Sequence, residues 1–406
     1  MRKDYLAFFF SLFLSRLGDQ ILLFIVPLIV FQSTGSAAWA GLAFFVESLP
    51  RFLAFPMCGA LCDRISPVRL LHISQAWRAL ACLVTVSLQL SSASIAWLVA
   101  LSALCGVLTT QGIMAREVLM PNIFAQYSYT RTLSYSQIAD QTGMVLGPVM
   151  AAMLLETWAW HWVVLGSAGI FLLADLAMIA WQRWSRFKAP ALQGHTGMVQ
   201  SVGIALGHIR TQPQLMKIIT LAIGVNLIVG VTLATSAVLV IGEHSAGKDA
   251  YATLQVAGAV ITIAILFFLA RVTLPIWLLG CVAYLMIAGG AFISVWSPGL
   301  AVYVASFLLI VGFDKMFNVY MRNVRQRVIP AADFGKTVGV ITLLNNLSQP
   351  LAGILVAVLV APLGVRGVIL LLAVLTVLLG ATALLLFPAR REPVDNDLST
   401  FTVRRK

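Results

Sequence analysis

Apolar stretches of membrane-spanning length follow one another along almost the whole chain, and they constrain its fold more than any other feature. A transmembrane helix needs about 20 consecutive, mainly apolar residues. We count twelve such stretches, over residues 5–32, 37–62, 69–90, 94–115, 131–155, 159–182, 214–241, 250–270, 273–294, 299–321, 335–360 and 364–387. The runs are continuous, whereas the strands of a transmembrane barrel alternate apolar with polar residues. The sequence therefore predicts an all-α polytopic membrane protein with twelve transmembrane helices.

Composition supports this class, because charged residues make up 10% of the chain and hydrophobic residues 60%. A soluble domain has about 25% charged residues. The basic residues concentrate in alternate connections, at Arg2, Lys3, Arg64, Arg69, Arg116, Arg131, Arg183, Arg186, Lys188, Arg210, Lys217, Arg271, Arg322, Arg325, Arg327, Lys336 and the last residues of the chain. The other connections contain only Lys248 and Arg366. By the positive-inside rule, both termini are predicted to be cytoplasmic. The net charge of +12 then reflects topology, and no nucleic acid is expected as a partner.

The longest connection between spans divides the chain into two similar halves. We expect an N-terminal six-helix bundle over 1–182, a cytoplasmic linker over 183–213, a C-terminal six-helix bundle over 214–388 and a cytoplasmic tail over 389–406. The linker can form an interfacial helix, with an apolar side of Val199, Val202, Leu206 and Ile209. Arg116 and Arg325 each precede a proline by five positions, after the fourth and the tenth span. Two parallel six-span repeats are typical of one transporter architecture.

Charged and polar side chains inside the apolar runs are the candidate functional residues. Charges within a membrane are costly and usually face a bundle interior or an aqueous cavity. Arg16, Asp19 and Gln20 share one helix face in the first span, and Arg16 and Asp19 are expected to neutralise each other. Asp19 is either one half of a permanent structural pair or a group that binds a proton or the cargo. Both alternatives stay open at this point.

Further spans contain the same kind of residue. Candidates for proton or substrate coupling, beside Arg16 and Asp19, are Glu47, Arg51, Asp140 and Asp314. Candidates for the wall of a polar cavity are Gln20, Phe24, Gln137, Gln141, Asn226, Asn318, Asn345, Asn346 and Gln349. Together these positions predict a cavity that contains charges of both signs.

Two local motifs resemble those of the major facilitator superfamily. "GALCDR", at Gly59–Arg64, resembles the G-x-L-x-D-R loop that follows the second span, and "GMVLGPVMAA", from Gly143, resembles the G-x-x-x-G-P motif of antiporters. "TGSAAWAGL" and "LPRFLAFPMCGALCDR" are similar to the branch of macrolide-efflux pumps and enterobactin-type siderophore exporters. The resemblance implies alternating access, with gating residues at Gly59, Asp63, Arg64, Gly143, Gly147 and Pro148.

The predicted function is secondary active export of a small amphipathic molecule across the inner membrane of a bacterial cell, with protons as the coupling ion in an antiport cycle. A siderophore-like cargo is favoured, and a multidrug or macrolide efflux pump and a ferroportin-like divalent-metal exporter are the alternatives. A non-transporting membrane receptor or scaffold is the alternative from another class. The sequence has no phosphate-binding loop and no nucleophile elbow, so no enzyme is predicted. We expect no cofactor and no metal site; the expected partners are a small-molecule substrate, protons and the lipid bilayer, and the expected state is a monomer.

Overall fold

Helices form nearly all of the described structure. The computed structural model describes residues 3–34, 37–92, 94, 96–123, 127–185, 197–246 and 248–386. The helices are α1 (Lys3–Thr34), α2 (Ala37–Cys62), α3 (Pro67–Ser91), α4 (Ala96–Ile123), α5 (Tyr129–Thr157), α6 (Trp160–Ser185), α7 (Met198–Thr211), α8 (Pro213–Ala237), α9 (Lys248–Arg271), α10 (Ile276–Val295), α11 (Leu300–Val328) and α12 (Phe334–Leu386). A π-helical turn, Val238–Glu243, follows α8, and a 3-10 turn, Ala331–Asp333, precedes α12. The predicted all-α class is confirmed.

Ten of the described helical stretches are long and apolar enough to cross a membrane. They include all of α3, α4, α5 and α6, and the second part of α12 from Val358 to Leu386. In α2 the apolar stretch found among the described residues is Leu49–Cys62, which is shorter than the ten and is not counted with them. The first part of α12 is not among the ten. The multi-pass membrane architecture is thus supported, and the count of twelve crossings stays a prediction.

The chain reverses direction within α12, at Gly364. This residue has φ 69°, a left-handed backbone conformation that glycine adopts without the steric cost of a Cβ atom. Asn226 of α8 donates a hydrogen bond to the Asn345 carbonyl (3.1 Å), and Thr376 donates one to the carbonyl of Gly224, also in α8 (3.1 Å). In a straight helix, residues 345 and 376 would lie about 45 Å apart. Both segments meet α8 within one turn, so they run antiparallel, as the predicted spans 335–360 and 364–387 require.

Packing follows the two halves of the sequence. In the first half α1 packs against α5 and α6, α2 against α4, and α3 against α4 and α6. In the second half α8 packs against α12, and α11 against α9 and α10. The halves meet along α2 with α12 and along α5 with α9. The space between the halves therefore has walls from both repeats, which is where a transport cavity is expected.

The linker helix α7 is present, but its buried side differs from the predicted one. Ala205 and Ile209 are buried, whereas Val199 is 87% exposed and Leu206 is partly exposed. The helix α7 packs against α12. The predicted apolar side is thus right for Ile209 and wrong for Val199.

Candidate transport cavity

A polar cavity of about 290 Å³ lies between the two halves of the bundle. Its wall contains more basic than acidic side chains. The acidic ones are Asp19, Glu117 and Asp140, and the basic ones are Arg16, Arg78, Arg116, Lys315, Arg322 and Arg325. Amide side chains complete much of the wall, at Gln75, Gln137, Gln141, Asn226, Asn318, Asn345 and Asn346. Asp19, Arg16, Asp140 and six of the predicted cavity residues are thus brought together at one place.

Asp19 forms its ion pair with Arg78 of α3, not with Arg16. Nη1 of Arg78 lies 2.7 Å from Oδ1 of Asp19, and Thr109 of α4 donates a second hydrogen bond to that oxygen (2.8 Å). Both charged side chains are almost completely buried. The predicted neutralisation of Asp19 by Arg16 is therefore wrong. Pairing across helices prevails because Arg78 faces Asp19 directly.

The guanidinium of Arg78 is fixed on several sides. Nη2 donates to the hydroxyl of Ser15 (2.9 Å) and Nε donates to the carbonyl of Ser74 (3.0 Å). Its central carbon lies 4.5 Å from the centre of the Phe171 ring, a cation–π geometry. These contacts hold Arg78 in one orientation. The Asp19–Arg78 pair is built as a rigid part of the first half.

Asp140 of α5 pairs with Arg116 of α4, at 2.6 Å between Oδ1 and Nη1. The sequence placed Arg116 in a connection, and this is wrong. The residue lies within α4 and is buried. The apolar stretch that predicted span four ends before Arg116, but the helix continues to Ile123 because ion pairs between helices satisfy its charged residues.

A third ion pair joins the two halves. Nη2 of Arg322 in α11 lies 2.8 Å from Oε1 of Glu117 in α4. The amide of Gln137 in α5, with its orientation assigned from its neighbours, accepts hydrogen bonds from Nη1 (2.9 Å) and Nη2 (3.3 Å) of the same guanidinium. Glu117 was not among the predicted site residues, and Arg322, predicted to lie in a connection, lies within α11.

Two of the lining cations have no carboxylate partner among the described residues. Arg16 faces the cavity and makes no ion pair or side-chain hydrogen bond there. Arg325 donates to the hydroxyl of Thr342 (3.3 Å), and its Nε is buried without an acceptor. Lys315, by contrast, lies 2.8 Å from Asp314. The cavity therefore has an excess of positive charge.

Several predicted site residues lie outside the cavity wall. Asp314 is buried and accepts a hydrogen bond from Asn318 (3.1 Å), and Gln20 is buried at the contact of α1 with α5. Phe24 packs against an apolar cluster of the first half. Arg51 lies beside α4, where its carbonyl accepts a hydrogen bond from Thr110 (2.9 Å). The side chains of Glu47 and Gln349 lie outside the described residues.

Beyond the cavity, α2 ends against the start of α12. Oδ1 of Asp63 accepts from the backbone N–H of Gly335 (3.2 Å), and Oδ2 accepts from that of Lys336 (3.1 Å). A carboxylate is favourable there because the first amides of a helix have no intrahelical acceptor. Burial raises the pKa of the Asp63 carboxyl to about 6, against the opposite effect of these hydrogen bonds and of the Lys336 ammonium. We refer to this end of the bundle as the Asp63 end.

Glycines permit two close helix contacts near these residues. A Cβ atom on Gly59 would collide with the backbone carbonyl of Gly335, so α2 and α12 touch directly. A Cβ atom on Gly147 would collide with Gln20, and one on Gly143 would lie 3.0 Å from Cβ of Arg16, so α5 lies directly on α1. Pro148 lies inside α5 next to this contact. Arg64, predicted as a gating residue, is exposed and forms no ion pair with a described residue.

The family model of the Major Facilitator Superfamily matches residues 8–324. The chain belongs to the major facilitator superfamily. This membership makes it a transporter, and it agrees with the loop motif around Asp63 and with the cavity between the two halves. No curated protein matches this transporter significantly by sequence.

Solved structures with the same fold include transporters of different kinds. One is a bacterial homologue of the iron transporter ferroportin in the outward-facing state with soaked iron (17% identity, 96% of this chain and 100% of that chain, TM-score 0.74). Another is the human organic anion transporter MFSD10 (14% identity, 94% and 99%, TM-score 0.74). A third is the E. coli fucose:proton symporter FucP (12% identity, 94% and 98%, TM-score 0.70). At these identities the likeness shows the fold alone.

Metal-ligating residues do not gather in the part of this transporter that the structure describes. No three His, Cys, Asp or Glu side chains come together there. The carboxylates of the cavity are instead held by arginines, as described above.

Proposed function

We propose that this transporter is a secondary active exporter of a compact, amphipathic molecule that carries an anionic group. The proposal rests on the position and contacts of Arg16. Its guanidinium faces the cavity and forms no ion pair with a described residue, although Asp140 and Asp19 lie within electrostatic range. A charge in a region of low dielectric constant is costly unless it is paired. An anionic group of the cargo supplies the missing partner.

The arginines suit such a cargo. A guanidinium binds carboxylate or phosphate oxygens through two parallel hydrogen bonds, which gives orientation as well as affinity. Arg325 adds a second cation from the opposite half, so an anionic cargo can be held from both sides. A cationic drug is less suited to this cavity, because Asp19, Glu117 and Asp140 are each already bound to an arginine.

The cavity size favours a compact cargo. Its volume of about 290 Å³ lies just below the usual range of small-molecule pockets, about 300–1,000 Å³. Phe55, Ile113 and Met144 provide apolar surface in the wall. A carboxylate-rich, siderophore-like molecule fits this combination better than a macrolide does.

For energy coupling we propose antiport with protons, with Asp140 as the coupling carboxylate. The side chain of Asp140 is 15% exposed and that of Asp19 is 4% exposed. Among the residues that the structure describes, Arg116 alone forms an ion pair with Asp140, whereas Asp19 is held by Arg78 and Thr109. A proton that arrives from the cavity therefore reaches Asp140 more easily. In this proposal Asp19 is a structural partner of Arg78, and both termini lie in the cytoplasm of a bacterial cell.

The proposal is tested by transport into inverted vesicles with an imposed pH gradient. The probes are citrate and 2,3-dihydroxybenzoate as compact anions, tetraphenylphosphonium as a lipophilic cation and Mn²⁺ as a divalent metal. We expect gradient-driven uptake of an anion by the wild type. In Arg16→Gln we expect the rate of this uptake to fall at least tenfold. Arg210→Gln is the matched control, because Arg210 is exposed on α7, away from the cavity. Uptake of the cation or the metal alone, or equal rates in both variants, would overturn the proposal.

A further inference from the structure

Arg322 and Arg325 lie three residues apart on one face of α11, in the wall of the cavity. The side chains that bind Arg322 both come from the other half of the protein. Glu117 of α4 forms the ion pair at 2.8 Å, and Gln137 of α5 accepts two hydrogen bonds. The guanidinium of one half is thus held by acceptors of the other half. This bond can exist only while α4 and α11 are close together.

Around Arg322 and Arg325, hydrogen-bond donors outnumber hydrogen-bond acceptors. Nε of Arg325 and the hydroxyl of Tyr129 are buried without a hydrogen-bond partner among the described residues. Both lie within electrostatic range of Glu117, and this carboxylate is the one that contacts Arg322. A group with such an excess of donors is suited to bind an additional acceptor. An anion from the cavity meets that requirement.

We propose that Glu117 is a tethered competitor of the cargo. Its carboxylate and the anionic group of the cargo bind the same guanidinium, that of Arg322, in alternate states of the transport cycle. In the state seen here the two halves are in contact at the Asp63 end, and Glu117 occupies Arg322. When that end opens, α4 withdraws from α11, and Arg322 and Arg325 become free for the cargo. The inference rests on the proposed anionic cargo.

The competition gives transport a direction. Closure of the Asp63 end returns Glu117 to Arg322 and displaces the anionic group of the cargo. The group then moves to Arg16, which lines the cavity and forms no ion pair with a described residue. Linkage requires that closure weakens anion binding at Arg322 by the same factor by which the anion opposes closure. Coupling between two sites of a protein is typically about 5–150-fold.

The variant Glu117→Gln tests the inference, because it removes the competing charge and keeps the side-chain size. With citrate and 2,3-dihydroxybenzoate as probes, we expect binding roughly 5–150-fold tighter than in the wild type, together with slower export. A merely structural ion pair would lower thermal stability and leave the affinity unchanged. The matched control is Glu156→Gln, because Glu156 is exposed near the end of α5. Glu117→Asp, which shortens the reach to Arg322, is expected to shift affinity in the same direction.

A cross-linking measurement makes the test independent of how well these variants fold. Thr130 of α5 donates a hydrogen bond to Asn323 of α11 (3.2 Å), so this pair reports the contact between the halves. In a variant with Thr130→Cys, Asn323→Cys and Cys281→Ser, we expect a disulfide to form readily without anion. Saturating citrate or 2,3-dihydroxybenzoate is expected to slow its formation at least fivefold.

The outcomes separate this inference from the proposed function. If an anion binds and Arg16→Gln abolishes its transport, but neither Glu117 variant binds it more tightly and the anion leaves cross-linking unchanged, the competition is refuted and the proposed function stands. If neither anion binds to the wild type, both are overturned. Tighter anion binding by Glu117→Gln than by the wild type supports the competition. If Glu117→Gln does not fold, slower disulfide formation in the presence of the anion supports it.

Discussion

The identity of the ion-pair partner of Asp19 can be tested by a set of matched variants. In the structure Asp19 binds Arg78, whereas the spacing along α1 had suggested Arg16. Asp19→Asn leaves Arg78 buried without its counter-charge. We expect a large loss of stability from this single change, because removal of one partner from a buried pair costs about 3–5 kcal/mol.

The magnitude can be worked from the geometry. The pair is 2.7 Å apart between Nη1 and Oδ1, which places the centres of charge about 4 Å apart. At an effective dielectric constant of about 20, such charges attract by about 4 kcal/mol. The entropy of unfolding, about 2.1 cal/mol/K per residue, amounts to about 0.85 kcal/mol/K for 406 residues. Asp19→Asn is therefore expected to lower Tm by about 5 °C.

The decisive comparison uses two double variants in thermal unfolding in detergent. Arg78→Gln with Asp19→Asn removes both charges and is expected to recover most of the lost Tm, since a neutral pair replaces the ion pair. Arg16→Gln with Asp19→Asn leaves Arg78 uncompensated, so we expect it to be at least as unstable as the single variant. The opposite order, with recovery in the Arg16 double variant, would refute the assignment of Arg78 as the partner.

Three further predictions concern packing, pH and coupling. Gly147→Ala is expected to lower Tm and the export rate, whereas Gly166→Ala, at a glycine with open space, is expected to leave both nearly unchanged. The pKa of Asp63 is raised from 3.8 to about 6, so its contribution to stability is present below pH 3.8 and is lost as the pH rises through about 6. A Tm series from pH 4 to pH 8 should show this decline in the wild type and not in Asp63→Asn. Asp140→Asn combined with Arg116→Gln is expected to fold and to exchange cargo down its gradient without pH-driven export; full pH-driven export would exclude Asp140 as the coupling group.

The class of fold followed from the sequence because bilayer thickness sets a simple rule. Apolar runs of about 20 residues mark helices wherever water is absent, and this rule needs no knowledge of neighbouring helices. The same reasoning identified polar positions within spans, and most of these line the cavity, including Asp140, Gln141 and Asn346. Asp63 and Gly59 were found through a local motif, and they do lie at the contact of α2 with α12. Local sequence was sufficient where a property depends on one helix alone.

Tertiary structure decided which charges bind each other. Arg16 is three residues from Asp19 in the sequence, but Arg78, 59 residues away, is the residue that reaches it. Glu117 and Arg322 lie in different halves, near the ends of α4 and α11. The predicted spans ended at residues 115 and 321, before either side chain. An ion pair needs two side chains that face each other at about 3 Å, and this depends on how helices rotate and cross. Because that arrangement comes from packing of the whole bundle, the excess of positive charge in the cavity became visible only in the folded protein.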